Sequence, residues 1–180
     1  AALRAAPTAA TAHRRKHAPG PHRWLMVPLT AAALALSLAS SACAACTVLS
    51  VHDGDTLTAD CPDGRLPVRL RDIDAPELTQ PYSRRATRSL ESLCVGHTAR
   101  LLDRGFDRYG RTLARVQCAG VDASEEQVRR GYAWVFLRYT NDPRLVALES
   151  EARHSRRGLW RQRDPVAPWD FRREHRQLKP

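Results

Sequence analysis

Residues 46–77 read CTVLSVHDGDTLTADCPDGRLPVRLRDIDAPE, and this stretch decides the architecture. Two runs rich in Val, Thr and Leu flank Asp53-Gly54, a dipeptide suited to a tight hairpin turn. Antiparallel pairing about that turn makes the numbers of facing residues sum to 107, which sets Cys46 opposite Cys61, Val48 opposite Ala59 and Ser50 opposite Leu57. A third run, LPVRLRDI, alternates apolar with basic residues until Asp74-Ala75-Pro76 stops it. The expectation is a three-stranded meander with two acidic bends, one around Gly54 and one around Pro76.

Downstream, Ser83 is placed to cap a helix running to about Cys94, with Ala86, Leu90 and Leu93 on one face and Gly96 after its end. HTARLLD and RTLARVQC then read as two more strands joined by the turn GFDRYG. Ser124 with Gln127 has the spacing of a capping box, which predicts a short second helix ending at Gly131. Asp142-Pro143 opens a third, with Leu145, Leu148 and Ala152 at helical spacing and Gly158 closing it. The last twenty residues, RQRDPVAPWDFRREHRQLKP, read as a Pro-bearing basic tail. Five short strands with helices inserted after the third and fifth predict an α+β protein built on a small closed barrel of the oligonucleotide/oligosaccharide-binding (OB) type.

Upstream the composition changes. Residues 1–23 hold no carboxylate and carry Arg14, Arg15 and Lys16, and from Trp24 to Ala39 the chain is uncharged. Small residues follow to Ala44. This is the order of a basic region, an apolar region and a cleavage site, so residues 1–44 are expected to be a signal peptide for export to the periplasm or medium. A membrane anchor through residues 24–45 is the alternative, although the apolar run is shorter than the roughly 18–20 residues of a span and contains Pro28. The expected division is therefore signal peptide 1–44, barrel domain 45–164 and basic tail 165–180.

Charge and cysteines bound the partners. The whole chain carries 29 Lys/Arg against 19 Asp/Glu, a net +10, and 27 of the cations are Arg. Five of the 29 lie in residues 1–44, which leaves 24 against 19, or +5, for the remainder. An acidic partner such as nucleic acid or an anionic membrane is favoured, with a solvated basic surface as the bland alternative. Export implies oxidation, and Cys46, Cys61, Cys94 and Cys118 form an even set. Of three possible pairings, the hairpin register selects Cys46–Cys61, and Cys94–Cys118 follows by elimination. Four unpaired thiols are the alternative.

Acids gather at the two bends: Asp53 and Asp55, then Asp72, Asp74 and Glu77. Turn-borne carboxylates of this kind suit a hard divalent cation, although Asp at turns also serves its own backbone. Arg69 and Arg71 share a strand face by alternation, so the pattern leaves open which of them joins the acids; Arg111 lies in the turn before the fifth strand. A phosphodiester is anionic, and its transition state gathers more charge on the equatorial oxygens. A cation and guanidinium forks together answer that need.

Asp53-Gly54-Asp55-Thr56, Val68-Arg69-Leu70 through Ile73-Asp74-Ala75-Pro76-Glu77, Asp107-Arg108-Tyr109-Gly110-Arg111 and Val128-Arg129-Arg130-Gly131 resemble, in order and spacing, the staphylococcal nuclease (thermonuclease) family. The ending Gly158-Leu159-Trp160 with Pro168-Trp169-Asp170-Phe171-Arg172 is similar to exported bacterial members, and the likeness spans about residues 47–172. It implies a five-stranded OB barrel with three helices and a calcium-dependent hydrolase of DNA and RNA that leaves 3′-phosphate ends. By position it assigns Asp55, Asp74 and the Ala75 carbonyl to Ca2+, with Asp53 and Thr56 behind them. It makes Glu77 the general base, Arg69 and Arg111 the phosphate-gripping arginines, and Arg108, Tyr109 and Tyr139 substrate-binding residues. Leu137 stands where the family has a pocket tyrosine, Arg108 where it has a lysine, and the loop after Glu77 is shorter than in the type member. The chain is expected to act as a monomer with no stable protein partner and no membrane contact after signal cleavage. The competing reading is a noncatalytic nucleic-acid-binding module on the same barrel.

Overall fold

The computed structural model describes residues 45–177; the expected signal peptide and the alternative anchor lie outside these residues, save Ala45. Strands β1 (Cys46–Val51), β2 (Thr56–Cys61) and β3 (Gly64–Leu70) form the meander, followed by the short β4 (Ile73–Asp74) and helix α1 (Ser83–Cys94). Strands β5 (Thr98–Phe106) and β6 (Thr112–Cys118) lead through β7 (Val121–Asp122) into α2 (Ala123–Arg129). The short β8 (Trp134–Val135) precedes α3 (Pro143–His154), a 3-10 turn at Gly158–Arg161 and α4 (Pro168–Gln177). The sheet runs β3-β2-β1-β5-β6-β7, and parallel pairing of β3 with β6 closes its first five strands into a barrel, the OB-like α+β fold.

Period-two burial explains the closure. Thr112, Ala114, Val116 and Cys118 of β6 point inward, where the last three meet Val48, Leu57, Ala59, Val68 and Leu70 in one core. The expected pairing holds at Val48–Ala59 and then slips: Ser50 faces Thr58 and Val51 faces Leu57. A bulge at Leu49 causes the slip. Without it, strict alternation would aim Ser50 at the core and Val51 at water; the extra residue restores an apolar partner to the buried Leu57. Both expected disulfides are present, Cys46–Cys61 across the open end of the hairpin and Cys94–Cys118 from α1 to β6.

The helix ends differ in detail from expectation. Tyr82, not Ser83, occupies the N-cap of α1 with a left-handed backbone, and the buried Ser83 hydroxyl donates to the Leu78 carbonyl at 2.9 Å. Asp122 caps α2 by accepting from the Glu125 amide, so Ser124 and Gln127 form no capping box. Gln127 turns inward instead: its amide donates to the carbonyls of Gly54 at 2.7 Å and Ala86 at 3.0 Å. Asp142 caps α3 as expected, but α3 stops at His154 and Gly158 opens the 3-10 turn. A fourth helix occupies most of the expected tail. Pro168 suits a first helical turn and Asp170 complements its dipole. What holds α4 is aromatic: Trp169 stacks on Phe136 at 5.0 Å and meets Trp134 edge-on at 5.8 Å.

Gly54 brings the two acidic bends together. Its backbone has no left-handed demand, unlike an ordinary turn glycine; a Cβ there would come within 2.6 Å of both the Ala75 and Ala86 Cβ atoms. Gly54→Ala is therefore expected to overpack this junction and lower stability by about 1–3 kcal/mol. Gly105→Ala, which meets nothing within 4 Å, should leave the urea midpoint nearly unchanged.

Candidate active site

The hairpin loop delivers Asp53 and Asp55. Asp53 accepts the Asp55 amide at 3.0 Å, an Asx turn that directs the Asp55 carboxylate inward. There Asp55 is almost wholly buried; one of its oxygens accepts from the Thr56 hydroxyl at 3.0 Å and the other from the Ala75 amide at 2.7 Å. Asp74 sits in β4, whose pairing with β8 sets it opposite Trp134, and only 1% of it is exposed. Arg69, at the end of β3, spans the two acids: one terminal nitrogen donates to Asp55 and the other to Asp74 at 2.7 Å. Arg71, two residues on, instead donates to the Asp103 carbonyl. Their shared face ends because β3 stops at Leu70 and Asp72 takes a left-handed backbone.

Burial pushes the Asp55 carboxyl up to about 7, with Asp53 and Asp74 pushing the same way while Arg69 and the Ala75 amide pull against them. Arg69 holds its proton more tightly than usual: burial opposes this, and the charges of Asp55 and Asp74 prevail. The arrangement is short of positive charge at Asp55. Two hard carboxylates and an adjacent Ala75 carbonyl are the oxygen donors that would suit a hard divalent cation. Among the described residues no three His, Cys, Asp or Glu side chains gather into a metal cluster, so the protein's share would be no more than that.

Glu77 is half-exposed, on a loop that Gln80 staples down. The Gln80 side chain accepts from the Glu77 amide at 2.8 Å and donates to the Val166 carbonyl at 3.1 Å. Arg172 of α4 reaches the same place. It donates to Asp74 at 2.6 Å and to Glu77, bridging an acid of β4 to the loop acid across 98 and 95 residues of chain. Its proton is held more tightly than usual: partial burial opposes this, and bonding to Asp74 and Glu77 prevails. Sequence pattern assigns neither Gln80 nor Arg172 to this site. Arg172 stands inside the family-like Pro168–Arg172 run, and Pro168-Trp169 is the signal that the segment docks.

Arg111 stands apart from the acids. Asp107 grips it at 2.7 Å, and its guanidinium lies 5.7 Å from the Tyr109 ring centre. Asp107 stays ionised below its usual range; slight burial opposes this, and the Tyr109 and Arg111 amides with the Arg111 side chain outweigh it. The backbone places Arg111 one residue before Thr112, which pairs with Val68 beside Arg69. Tyr109 and Tyr139 are each 69% exposed, with Arg108 over the Tyr109 ring at 4.8 Å and Tyr139 edge-on to Phe136 at 4.8 Å. Such uncovered rings can stack on bases.

A family model described as staphylococcal nuclease homologue matches residues 67–162. The chain belongs to the staphylococcal nuclease family. Membership makes it a nuclease, a hydrolase of phosphodiester bonds whose substrates are nucleic acids. It is 44% identical over 128 residues to a protein of Escherichia coli O157:H7 named "Uncharacterized endonuclease", covering 69% of this chain and 82% of the relative. It is 35% identical over 132 residues to a Haemophilus influenzae protein of the same name, covering 73% and 74%. A rice protein named "Probable staphylococcal-like nuclease CAN3" is 35% identical over 112 residues, 62% of this chain and 30% of its own. The family match begins after the Asp55 bend and ends before α4, so this nuclease presents Asp55 and Arg172 from segments outside it.

The buried acid has a thermodynamic consequence. Between about pH 4, where an unfolded Asp ionises, and about 7, where Asp55 ionises in the fold, the native state holds a proton the unfolded chain has released. Stability therefore falls as pH rises through that window and stays lowered above it. Asp55→Asn in chelator is expected to be more stable than the parent at pH 8, by on the order of 3 kcal/mol. The gain should shrink toward pH 4, as read by urea melts across pH.

Proposed function

We propose that the protein is an exported, calcium-dependent endonuclease that cuts DNA and RNA and leaves 3′-phosphate ends. The observation that carries the reading is Arg69 held between Asp55 and Asp74, two buried acids from separate bends facing one point. Asp55, Asp74 and the Ala75 carbonyl would hold Ca2+, which would supply positive charge against the phosphodiester. Glu77 orients the attacking water and accepts its proton. Arg69, fixed in advance by Asp55 and Asp74, and Arg111, fixed by Asp107, bind the charge that builds on the equatorial oxygens and so favour the pentacoordinate state over the ground state. Arg172 sets the direction of Glu77 from α4. Tyr109, Tyr139 and Arg108 receive the flanking nucleotide, with Asp53 and Thr56 steadying Asp55.

Export is supported by the basic-apolar-small order of residues 1–44 and by two disulfides, which persist in oxidising compartments. Among the described residues no helix is long and apolar enough to cross a membrane. The enzyme is proposed to act as a monomer.

Digestion of DNA and RNA in calcium, and again in chelator, tests the reading. Shortening in calcium alone is expected; a gel shift with no shortening in either condition would mark a noncatalytic binder. Arg111→Lys should cost turnover about 10²–10³-fold, because an ammonium does not reproduce the planar fork. Arg172→Ala is expected to lower kcat more than it raises KM for DNA at saturating calcium, since it releases Glu77 and Asp74 and leaves the phosphate-binding arginines in place; single-turnover kinetics read the difference.

A further inference from the structure

A second cationic feature lies on the face made by α1, the end of α2 and the 3-10 turn. An open groove of about 670 Å³ is lined there by Arg85, Arg88, Arg130, Arg157 and Arg161. Three segments distant in sequence supply these guanidiniums, and the fold fixes where they meet. Gly131 and Gly158 both take left-handed backbones; a Cβ on Gly131 would run into the Arg157 carbonyl, and one on Gly158 into the Gly131 carbonyl. The Leu159 amide donates to the Gly131 carbonyl at 2.8 Å, Arg157 to the Arg129 carbonyl at 3.2 Å, and Arg130 to the Ser89 hydroxyl at 3.1 Å. This clasp makes the groove part of the fold rather than a chance meeting of surface arginines.

The positive charge there is only partly answered. Glu126 pairs with Arg130 and Glu151 with Arg157. Among the described residues Arg85, Arg88 and Arg161 form no ion pair with a carboxylate; Arg85 lies over the Tyr82 ring at 5.1 Å and Arg161 donates to the Arg156 carbonyl. The first turn of α1 carries no acid, so its amide dipoles add to the field. A neighbouring groove of about 460 Å³ shares Arg85 and Arg88 and continues along Leu78, Pro81 and Arg84, the segment directly after Glu77.

We propose that this arginine groove is a second binding site for the phosphodiester backbone, taking the same strand that the acid site cuts and holding it away from the scissile bond. The assignment rests on the nuclease reading and deepens it. Guanidinium forks match phosphate oxygens, and the groove runs on toward the Glu77 loop, as a continuous strand requires. Its continuation past Arg84 and Leu78 toward the Glu77 loop suits a threaded polyanion, whereas a lipid surface would have no need of a path to the acid site.

The test uses the full chain in chelator, where binding is read without cleavage. Fluorescence anisotropy of a labelled oligothymidylate is measured against salt for the parent, for Arg88→Glu/Arg161→Glu and for Arg88→Lys/Arg161→Lys. The Glu variant is expected to bind about tenfold more weakly, its log-log salt slope smaller by about 0.7 for each phosphate it no longer neutralises. The Lys variant should recover most of both. In calcium, KM for long DNA should rise in the Glu variant while cleavage of a thymidine dinucleotide, too short to reach the groove, stays at the parent's rate. Unchanged affinity and slope in the Glu variant would overturn the proposal. So would a Lys variant no better than the Glu variant, or lost binding to phosphatidylglycerol vesicles with oligonucleotide binding intact. Failure of the parent to cut any diester would count against the acid site alone, since the chelator measurements still decide the groove.

Discussion

Two carboxylates that repel one another, buried almost completely and bridged by one guanidinium, are the constraint on which this molecule turns. Burying Asp55 and Asp74 together costs free energy that Arg69 only partly returns, as the raised pKa of Asp55 records. A fold optimised for stability alone would not keep this arrangement. The cost is offset by the barrel's core and by close contacts around Gly54, where two alanines and a buried glutamine amide hold the bends in place. Asp55 is therefore a weakly neutralised acid on a rigid frame, a position at which a divalent cation has charge to gain by binding.

The C-terminal segment completes the site through a different kind of force. Trp169 settles among Trp134 and Phe136, and that apolar docking brings Arg172 onto Asp74 and Glu77. Gln80 joins the Glu77 loop to the backbone just before α4. Loop and helix thus hold each other, and Glu77, though partly exposed, has its direction set by groups far away in sequence.

The preponderance of arginine over lysine acquires meaning in this setting. At Arg69 and Arg172 one planar group serves two carboxylates at once, which a single ammonium does less well. On the α1 face the same planarity suits guanidinium forks that no carboxylate occupies to the phosphate oxygens of a strand.

Local pattern is enough for much of this. Alternation and the Asp-Gly turn mark the meander, the hairpin register marks one disulfide, and ordered motifs mark the family, because each depends on residues near in sequence or on a period set by backbone geometry. The bulge at Leu49 escapes such a reading, since it answers to which side of the barrel needs Val51. The capping-box spacing of α2 misleads because Gln127 is drawn inward by two carbonyls from elsewhere. Helix α4 and the roles of Arg172 and Gln80 are hidden for the same reason. Its Arg, Glu and Gln residues favour a helix, but ten residues are marginal alone, and aromatic contacts across some thirty residues of chain fix where it docks. Sequence alone thus determined the barrel, the acids and their order; tertiary packing decided which arginine meets which acid, because that choice depends on distances across space that no local pattern encodes.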